Sequence, residues 1–476
     1  MTDDLRDNLG GSLSRRRFFG RLGAAGLAVG SAGSVLNCAD RGEREASPQT
    51  GAGTQSATPD VITRVRLRGR TGLWNVGLQE GRIGQISQEP VAGSQVLDGG
   101  SRLLTEGLVE HHIHLDKTLT EDRLRWDAEG LKADQAKYQE EVKAGRFIRG
   151  FTIWRESLIK GTFTEEDVFN RAMRLAKIES ACGTTAIRSH AVVEAVRGLN
   201  CVTGLIRARE AMKPYMDLQI ALHPQDDNLL RAPHVVDLVR QGMKAGADGV
   251  GGLPELDWDH ADEYIDLVFR LAKETGGFVD MHADQGGAAR EDKRMFSHPI
   301  IVAKTREYGL QGRVTASHSY SLAFQPRARV LPVLDEMREV GVHLSCSAGN
   351  YGEERVRIPR SRGVLVSLHN DNVRDPLNRG GKADLVEAAL IYIRQMNLGS
   401  SDEALEPVFD LITTYPGAAL DLAVGRKDYG LREGGRADLV LWDAESAPQV
   451  LLQQIRPAFV FKGGTVVVEA GRALWT

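Results

Sequence analysis

At 476 residues the chain can bury a large core, enough for a barrel of ~250 residues plus a smaller domain. A hydrophobic fraction of 42% and a charged fraction of 26% are those of an ordinary globular protein, which excludes a disordered or fibrous chain. The net charge of −4, with no long basic run beyond the first residues, argues against nucleic-acid binding.

The first segment reads as an address, not as fold. Ser14-Arg15-Arg16-Arg17-Phe18-Phe19-Gly20 resembles the twin-arginine export signature, and a Gly/Ala-rich, mildly apolar run follows from Leu22 to Leu36. That run is short for a membrane span of ~20 residues. Val35-Leu36-Asn37-Cys38 resembles a lipoprotein cleavage site, although Asn37 stands where Gly or Ala is usual. Residues 1–37 are therefore expected to be a signal segment. Cys38 is a candidate lipid anchor, with simple cleavage as the alternative. Residues 38–60 are polar and read as a flexible linker. The expected destination is the periplasm or the outer side of the membrane.

Strand patterns begin at Val61-Ile-Thr-Arg-Val-Arg-Leu, where apolar and polar residues alternate. Further short strands are expected near Leu73–Leu78 and Ile83–Ile86, punctuated by glycine. The C-terminus reads alike, over Ala437–Trp442 and Phe459–Val468. Residues 61–104 and 426–476 thus predict one small β-sandwich built from both ends of the chain.

Between them, residues 105–425 alternate apolar runs with helical patterns, of which Glu165–Glu179 and Ala261–Glu274 are the clearest. Eight runs are strand candidates: Gly107–His114, Thr185–Val193, Asp217–His223, Gly249–Pro254, Phe278–Ala283, Val314–His318, Val342–Ser347 and Gly363–His369. Eight β-α units predict an α/β (β/α)8 TIM barrel, with its chemistry at the C-terminal strand ends. The seventh crossover, Asn350 to Arg362, contains Pro359 and shows no helical pattern. It is long enough to connect parallel strands, but is expected to do so without a full helix. Cys182, Cys201 and Cys346 lack metal-site spacing, and no disulfide can be read from them.

Polar residues gather at the predicted strand ends. His112 and His114 lie two apart on the first strand and so face the same side. His190 closes the second, His223-Pro224-Gln225 the third, His282-Ala283-Asp284-Gln285 the fifth, His318 the sixth and Asn370-Asp371-Asn372 the eighth. Imidazoles with a carboxylate suit a divalent metal that keeps a position for water. His112, His114, His282 and Asp371 fit that set. Taken singly, each has a plainer reading, such as Asp371 capping a turn.

The stretches Glu110–Thr118, Gln219–Gln225, Val314–His318 and Asp371–Pro376 resemble the amidohydrolase superfamily, and within it the cytosine deaminase group. The resemblance implies one divalent ion, Zn2+ or Fe2+, on His112, His114, His282 and Asp371. It implies that His318 orients the attacking water, that Asp371 accepts its proton, and that Gln225 hydrogen-bonds the substrate ring. There are departures. Gln285 stands where the deaminases carry a proton-shuttling glutamate, and an amide cannot transfer a proton as a carboxyl group does. Imidazolonepropionases in the same superfamily carry a similar glutamine. Leu377 replaces an aromatic ring, Asn372 a second aspartate, and Val192 an aspartate near His190.

The reading is a hydrolase of a non-peptide C–N bond in a small cyclic amide, amidine or heteroaromatic amine, with Gln225 and Gln285 facing substrate. Two alternatives stay open. One is cytosine-type deamination, with Asp284 or water in place of the glutamate. The other is a catalytically silent metal protein that binds a small ligand. Lys117 is read as structural, paired with Asp116, and Asp375 as a turn residue before Pro376. The expected partner is a small molecule, and a homo-oligomer is compatible with the sequence.

Overall fold

A computed structural model describes residues 58–145, 150–225, 228–285, 296–349 and 352–475. The expected export signal, Cys38 and most of the expected linker lie outside the described residues. The description below concerns the compact unit from Gln55 onward.

The barrel strands are β6 Leu108–Ile113, β7 Thr184–Val192, β8 Asp217–His223, β9 Gly249–Gly252, β10 Phe278–Ala283, β11 Val314–His318, β12 Val342–Ser347 and β13 Val366–His369. All are parallel and neighbour one another in chain order. Each of the eight sequence candidates is one of them, to within three residues at either end. The barrel closes where Ile113 bridges Asp371. There His114 N–H donates to the Asp371 carbonyl at 3.0 Å and Asp371 N–H donates to the His112 carbonyl at 3.1 Å. Nearly every strand residue is buried, as befits strands covered by helices on one side and filled by side chains on the other.

The covering helices follow local rules. Glu165–Ala181 starts with Thr164 accepting from Asp167 N–H at 3.2 Å and has three acidic residues in its first turn. Ala261–Thr275 ends at Gly276, whose φ of 75° a side chain would resist. The seventh crossover differs from expectation. Glu353–Arg357 makes a π-helical turn that runs into a short α-helix, Ile358–Ser361, with Pro359 in its first turn, where a missing N–H costs nothing.

A nine-stranded sheet takes up both ends of the described chain: β1 Val61–Leu67, β2 Trp74–Gln79, β3 Arg82–Ser87, β4 Val96–Asp98, β5 Leu103–Glu106, β14 Leu439–Trp442, β15 Pro457–Lys462, β16 Thr465–Glu469 and β17 Arg472–Ala473. Its two halves are joined through β1. The first half of that strand pairs with β2 and β4, and its last residues pair with β5. Ile62, Val76, Ile83, Leu104, Leu439 and Phe461 form one apolar core from both halves, and the two ends of the chain thus build one sheet.

Candidate active site

The C-terminal strand ends converge. Nε2 of His112 lies 3.5 Å from Oδ1 of Asp371, Nε2 of His114 lies 3.6 Å from the same oxygen, and Nε2 of His114 lies 3.3 Å from Nε2 of His282. Ligands ~2.1 Å from one tetrahedral cation stand ~3.4 Å apart. Burial lowers the pKa of His114 and of His282 well below the usual histidine value, so both imidazoles are neutral. Among the described residues, His112 Nε2 and Asp371 Oδ1 are buried without a hydrogen-bond partner. Two neutral ring nitrogens and an unpaired carboxylate oxygen turned toward one point are what a divalent cation would satisfy. The donor set therefore fits the metal that the sequence implies.

The ring of His112 is held from behind. Its Nδ1 is 3.0 Å from Ser317 Oγ, and Ser317 Oγ donates to Asp280 Oδ1 at 2.7 Å. With its own proton committed to Asp280, the serine must accept from Nδ1–H of His112. That fixes the tautomer and leaves the Nε2 lone pair facing Asp371.

Three further groups of possible ligands share these residues: His190 with His223 and His282, His112 with His190 and Asp280, and His112 with His318 and Asp371. Asp280 is already taken by Arg188 Nη1 at 2.9 Å and by Ser317, so we assign the second group to the support of the site. His190 and His223 pack against the cluster. Ring centroids are 4.1 Å apart for His112 and His190, and 3.8 Å apart for His223 and His282.

His318 ends β11 with its ring 4.8 Å from His112 and from His282. Burial lowers its pKa to about 3, and its Nε2 has no hydrogen-bond partner among the described residues. Arg355, from the unexpected helical crossover, donates Nε–H to the His318 carbonyl at 2.7 Å. Asp371 is anionic: burial opposes this, but His318 and His112 hold its carboxyl well below the ordinary value. Asp284, His318 and Asp371 all take left-handed backbone, with φ of 54°, 69° and 60°. Three such residues at strand ends cost ~1–3 kcal/mol each and mark a site whose geometry the surroundings enforce.

A cavity of about 500 Å3 opens beside Asp371, lined by Gln285, His369, Asn372, Leu377 and Asn378 among others. The other expected residues fall differently. Asp284 is committed: its carboxylate accepts from Ser297 N–H at 3.0 Å and from Ser321 Oγ, and lies 3.4 Å from His298 Nδ1. Gln225 does not stand alone. Its Oε1 accepts from Lys117 Nζ at 2.9 Å, and its Nε2 donates to Glu156. Lys117 thus pairs with Gln225 and Glu156 as well as feeling Asp116. Asp375 is the turn residue expected, accepting from Leu377 and Asn378 N–H at 2.8 Å. It is also buried, and its pKa is pushed up to about 7 by that burial.

Glu156 and His369 are among the residues that escaped the sequence reading. Glu156 sits in the long connection 114–183 and carries no motif. His369 ends β13, with its ring 4.6 Å from His112, and the strand-end rule that found the others would have found it.

The fold is that of a barrel hydrolase, with imidazoles and a carboxylate gathered at the C-terminal strand ends. Residues 95–468 match the amidohydrolase family model, and the chain belongs to that family, whose members here are hydrolases of carbon–nitrogen bonds other than peptide bonds. It is similar to a pterin deaminase from Rhizobium rhizogenes (strain K84 / ATCC BAA-868), 27% identical, over 86% of this chain and 92% of that protein. Among solved structures it resembles the N-isopropylammelide isopropylaminohydrolase from Burkholderia multivorans ATCC 17616. That likeness has a TM-score of 0.74 and 26% identity, over 88% of this chain and all of the other. A 5-methylcytosine deaminase from Klebsiella pneumoniae liganded with 5-fluorocytosine, 24% identical with a TM-score of 0.73 over 86% and 97%, shares the fold.

Proposed function

We propose that the enzyme hydrolyses the bond between a ring carbon of a small nitrogen heterocycle and an amino or alkylamino nitrogen. The observation that carries this is the gathering of His112, His114, His282 and Asp371, in which Asp371 Oδ1 lies 3.5 and 3.6 Å from Nε2 of His112 and of His114, and His282 Nε2 lies 3.3 Å from His114 Nε2, beside a neutral His318. Similarity to proteins named for acting on an alkylated ammelide and on pterin supports the heterocycle.

Those four residues would hold one divalent cation, zinc or iron. Such an ion supplies Lewis acidity and lowers the pKa of water from about 15.7 to ~7. The chain's own groups do the rest. Asp371, anionic and adjacent, takes a proton from the attacking water and returns it to the departing nitrogen. Neutral His318 hydrogen-bonds the attacking oxygen without competing for its proton. Gln285, on the cavity wall, can hold a ring nitrogen but cannot protonate it. The contacts of Asp284 give no support to its serving in place of the absent glutamate, which disfavours deamination of cytosine itself.

The test is amine release from a panel of N-alkylammelides, aminopterins and aminopyrimidines by zinc- or iron-loaded protein. Turnover of a triazine or pterin is expected. Recovery of every compound intact from a tight complex would instead establish a silent binding protein. We also propose export by the twin-arginine route, from Ser14–Gly20. Mass spectrometry of the mature N-terminus decides this, and shows whether Cys38 is lipidated.

A further inference from the structure

We infer that Glu156 is a positioning residue that sets which way round the Gln225 amide is held. The inference rests on the reading that this pocket binds a heterocycle. Glu156 lies on the short helix Phe151–Ser157, outside the barrel strands, yet its side chain is wholly buried. Its two oxygens lie 3.2 and 3.1 Å from Gln225 Nε2. Arg197 Nη2 donates to Glu156 Oε1 at 2.9 Å and holds the carboxylate in place. At the other end of the amide, the Lys117 ammonium donates to Gln225 Oε1 at 2.9 Å.

A carboxamide has two nearly isosteric ends, a carbonyl that accepts and an NH2 that donates. Turned through 180°, Gln225 would set its NH2 against an ammonium and its carbonyl against a carboxylate. Both contacts would be repulsive, and in a buried site neither is screened by solvent. The pair Lys117 and Glu156 therefore permits one orientation: carbonyl toward Lys117, NH2 toward Glu156. Gln225 follows His223 by two residues, the His223 ring stacks on His282, and Lys117, which holds the amide carbonyl, is close enough to His114 to help lower its pKa. An amide locked this way offers acceptor and donor in a fixed order. An amide already held needs no ordering on binding, so it pairs with a C(=O)–NH ring edge more tightly than one left free to turn.

The test compares metal-loaded wild type with Glu156→Asp, which keeps a charge for Arg197 but retracts it by one methylene, and with Glu156→Gln, which keeps the length and an acceptor oxygen. Neutron crystal structures of the deuterated proteins report which end of the Gln225 amide carries the nitrogen, and calorimetry reports binding of cyanuric acid, all of whose edges are C(=O)–NH. Wild type is expected to show one Gln225 orientation. In Glu156→Asp, Gln225 should rotate or split between two, with cyanuric acid bound about tenfold more weakly, the loss of one charge-assisted hydrogen bond. Glu156→Gln should recover part of both. The inference is overturned if Gln225 keeps its orientation and affinity stays within twofold in both variants. A wild type that binds no cyanuric acid counts against the heterocycle reading, and the Gln225 orientation in the crystals then decides the role of Glu156 alone.

Discussion

Arg188, Gln219, Asp280 and Thr315 form one layer inside the barrel, and His112, His114, His282, His318 and Asp371 form the next, toward the C-terminal strand ends. In the first layer every strong group is answered. Arg188 donates to Asp280 at 2.9 Å, to Thr315 at 3.1 Å and to Gln219 at 2.9 and 3.1 Å, and its guanidinium lies over the Phe278 ring. In the second layer His112 Nε2, His318 Nε2 and Asp371 Oδ1 lack hydrogen-bond partners among the described residues. Burial is similar in both; satisfaction is not. A buried polar group left unpaired costs ~1–3 kcal/mol, so a layer that leaves several has been shaped around something it binds.

The sharpest way to break this contrast is to remove one group from each layer. Asp371→Asn should lower metal content, read by mass spectrometry, to a small fraction of one equivalent. It should reduce kcat/KM by ~1000-fold or more, while urea unfolding of the metal-free protein changes little. Arg188→Leu should do the reverse in kind. It strands the Asp280 carboxylate in the interior and should cost ~3–5 kcal/mol in the same urea experiment. If Asp371→Asn destabilises the metal-free fold as much as Arg188→Leu does, the two layers are not functionally distinct.

Asp375 tests the border between them. Its folded pKa is about 7, against an ordinary 3.8, because of burial; Lys117 opposes the shift and Glu156 adds to it. Below pH ~4 both folded and unfolded chains hold this proton. Between pH ~4 and ~7 the folded chain keeps it and the unfolded chain loses it, so stability falls as pH rises across that window. The loss is at most ~4 kcal/mol, from ~3 units at ~1.4 kcal/mol each. Asp375→Asn keeps an acceptor for Leu377 and Asn378 N–H. It should match wild type near pH 4 and exceed it at pH 8 in denaturant midpoints. An equal gain at both pH values would mean that Asp375 does not titrate in this range.

Much of this was legible in the sequence for physical reasons. Parallel barrel strands are buried on both faces, so they show as apolar runs, and the candidate ligands stand out as polar residues at the ends of those runs. The supporting layer left a signal that went unread. Arg188 precedes His190 by two residues and Asp280 precedes His282 by two, so each lies on the same strand face as its histidine. His111 was hidden for another reason. The register of β6 against β7 shifts between Glu110 and Ile113. His111 can therefore reach Ser367 at 2.6 Å and Arg188 at 3.3 Å inside the barrel, where strict alternation with His112 would send it outward. Glu156 was not readable at all, because only tertiary packing brings its helix over the strand ends.

Ser317→Ala gives the smallest expected effect and probes how the layers are joined. Ser317 links Asp280 below to His112 above, and its proton goes to Asp280. Removing the hydroxyl leaves Arg188 still paired with Asp280, so stability should change by ~1 kcal/mol or less. What it removes is the acceptor that keeps the proton of His112 on Nδ1. The ring can then place that proton on Nε2, the atom that faces Asp371, and such a ring cannot be a ligand. Metal affinity should fall ~10- to 100-fold, the size seen when a ligand's outer hydrogen bond is lost, and added metal should restore activity. Ser317→Thr, which keeps the hydroxyl, should bind metal much as wild type does. If Ser317→Ala holds metal as tightly as wild type, the His112 tautomer is set by Asp371 and the ion alone, and the lower layer contributes shape but not chemistry.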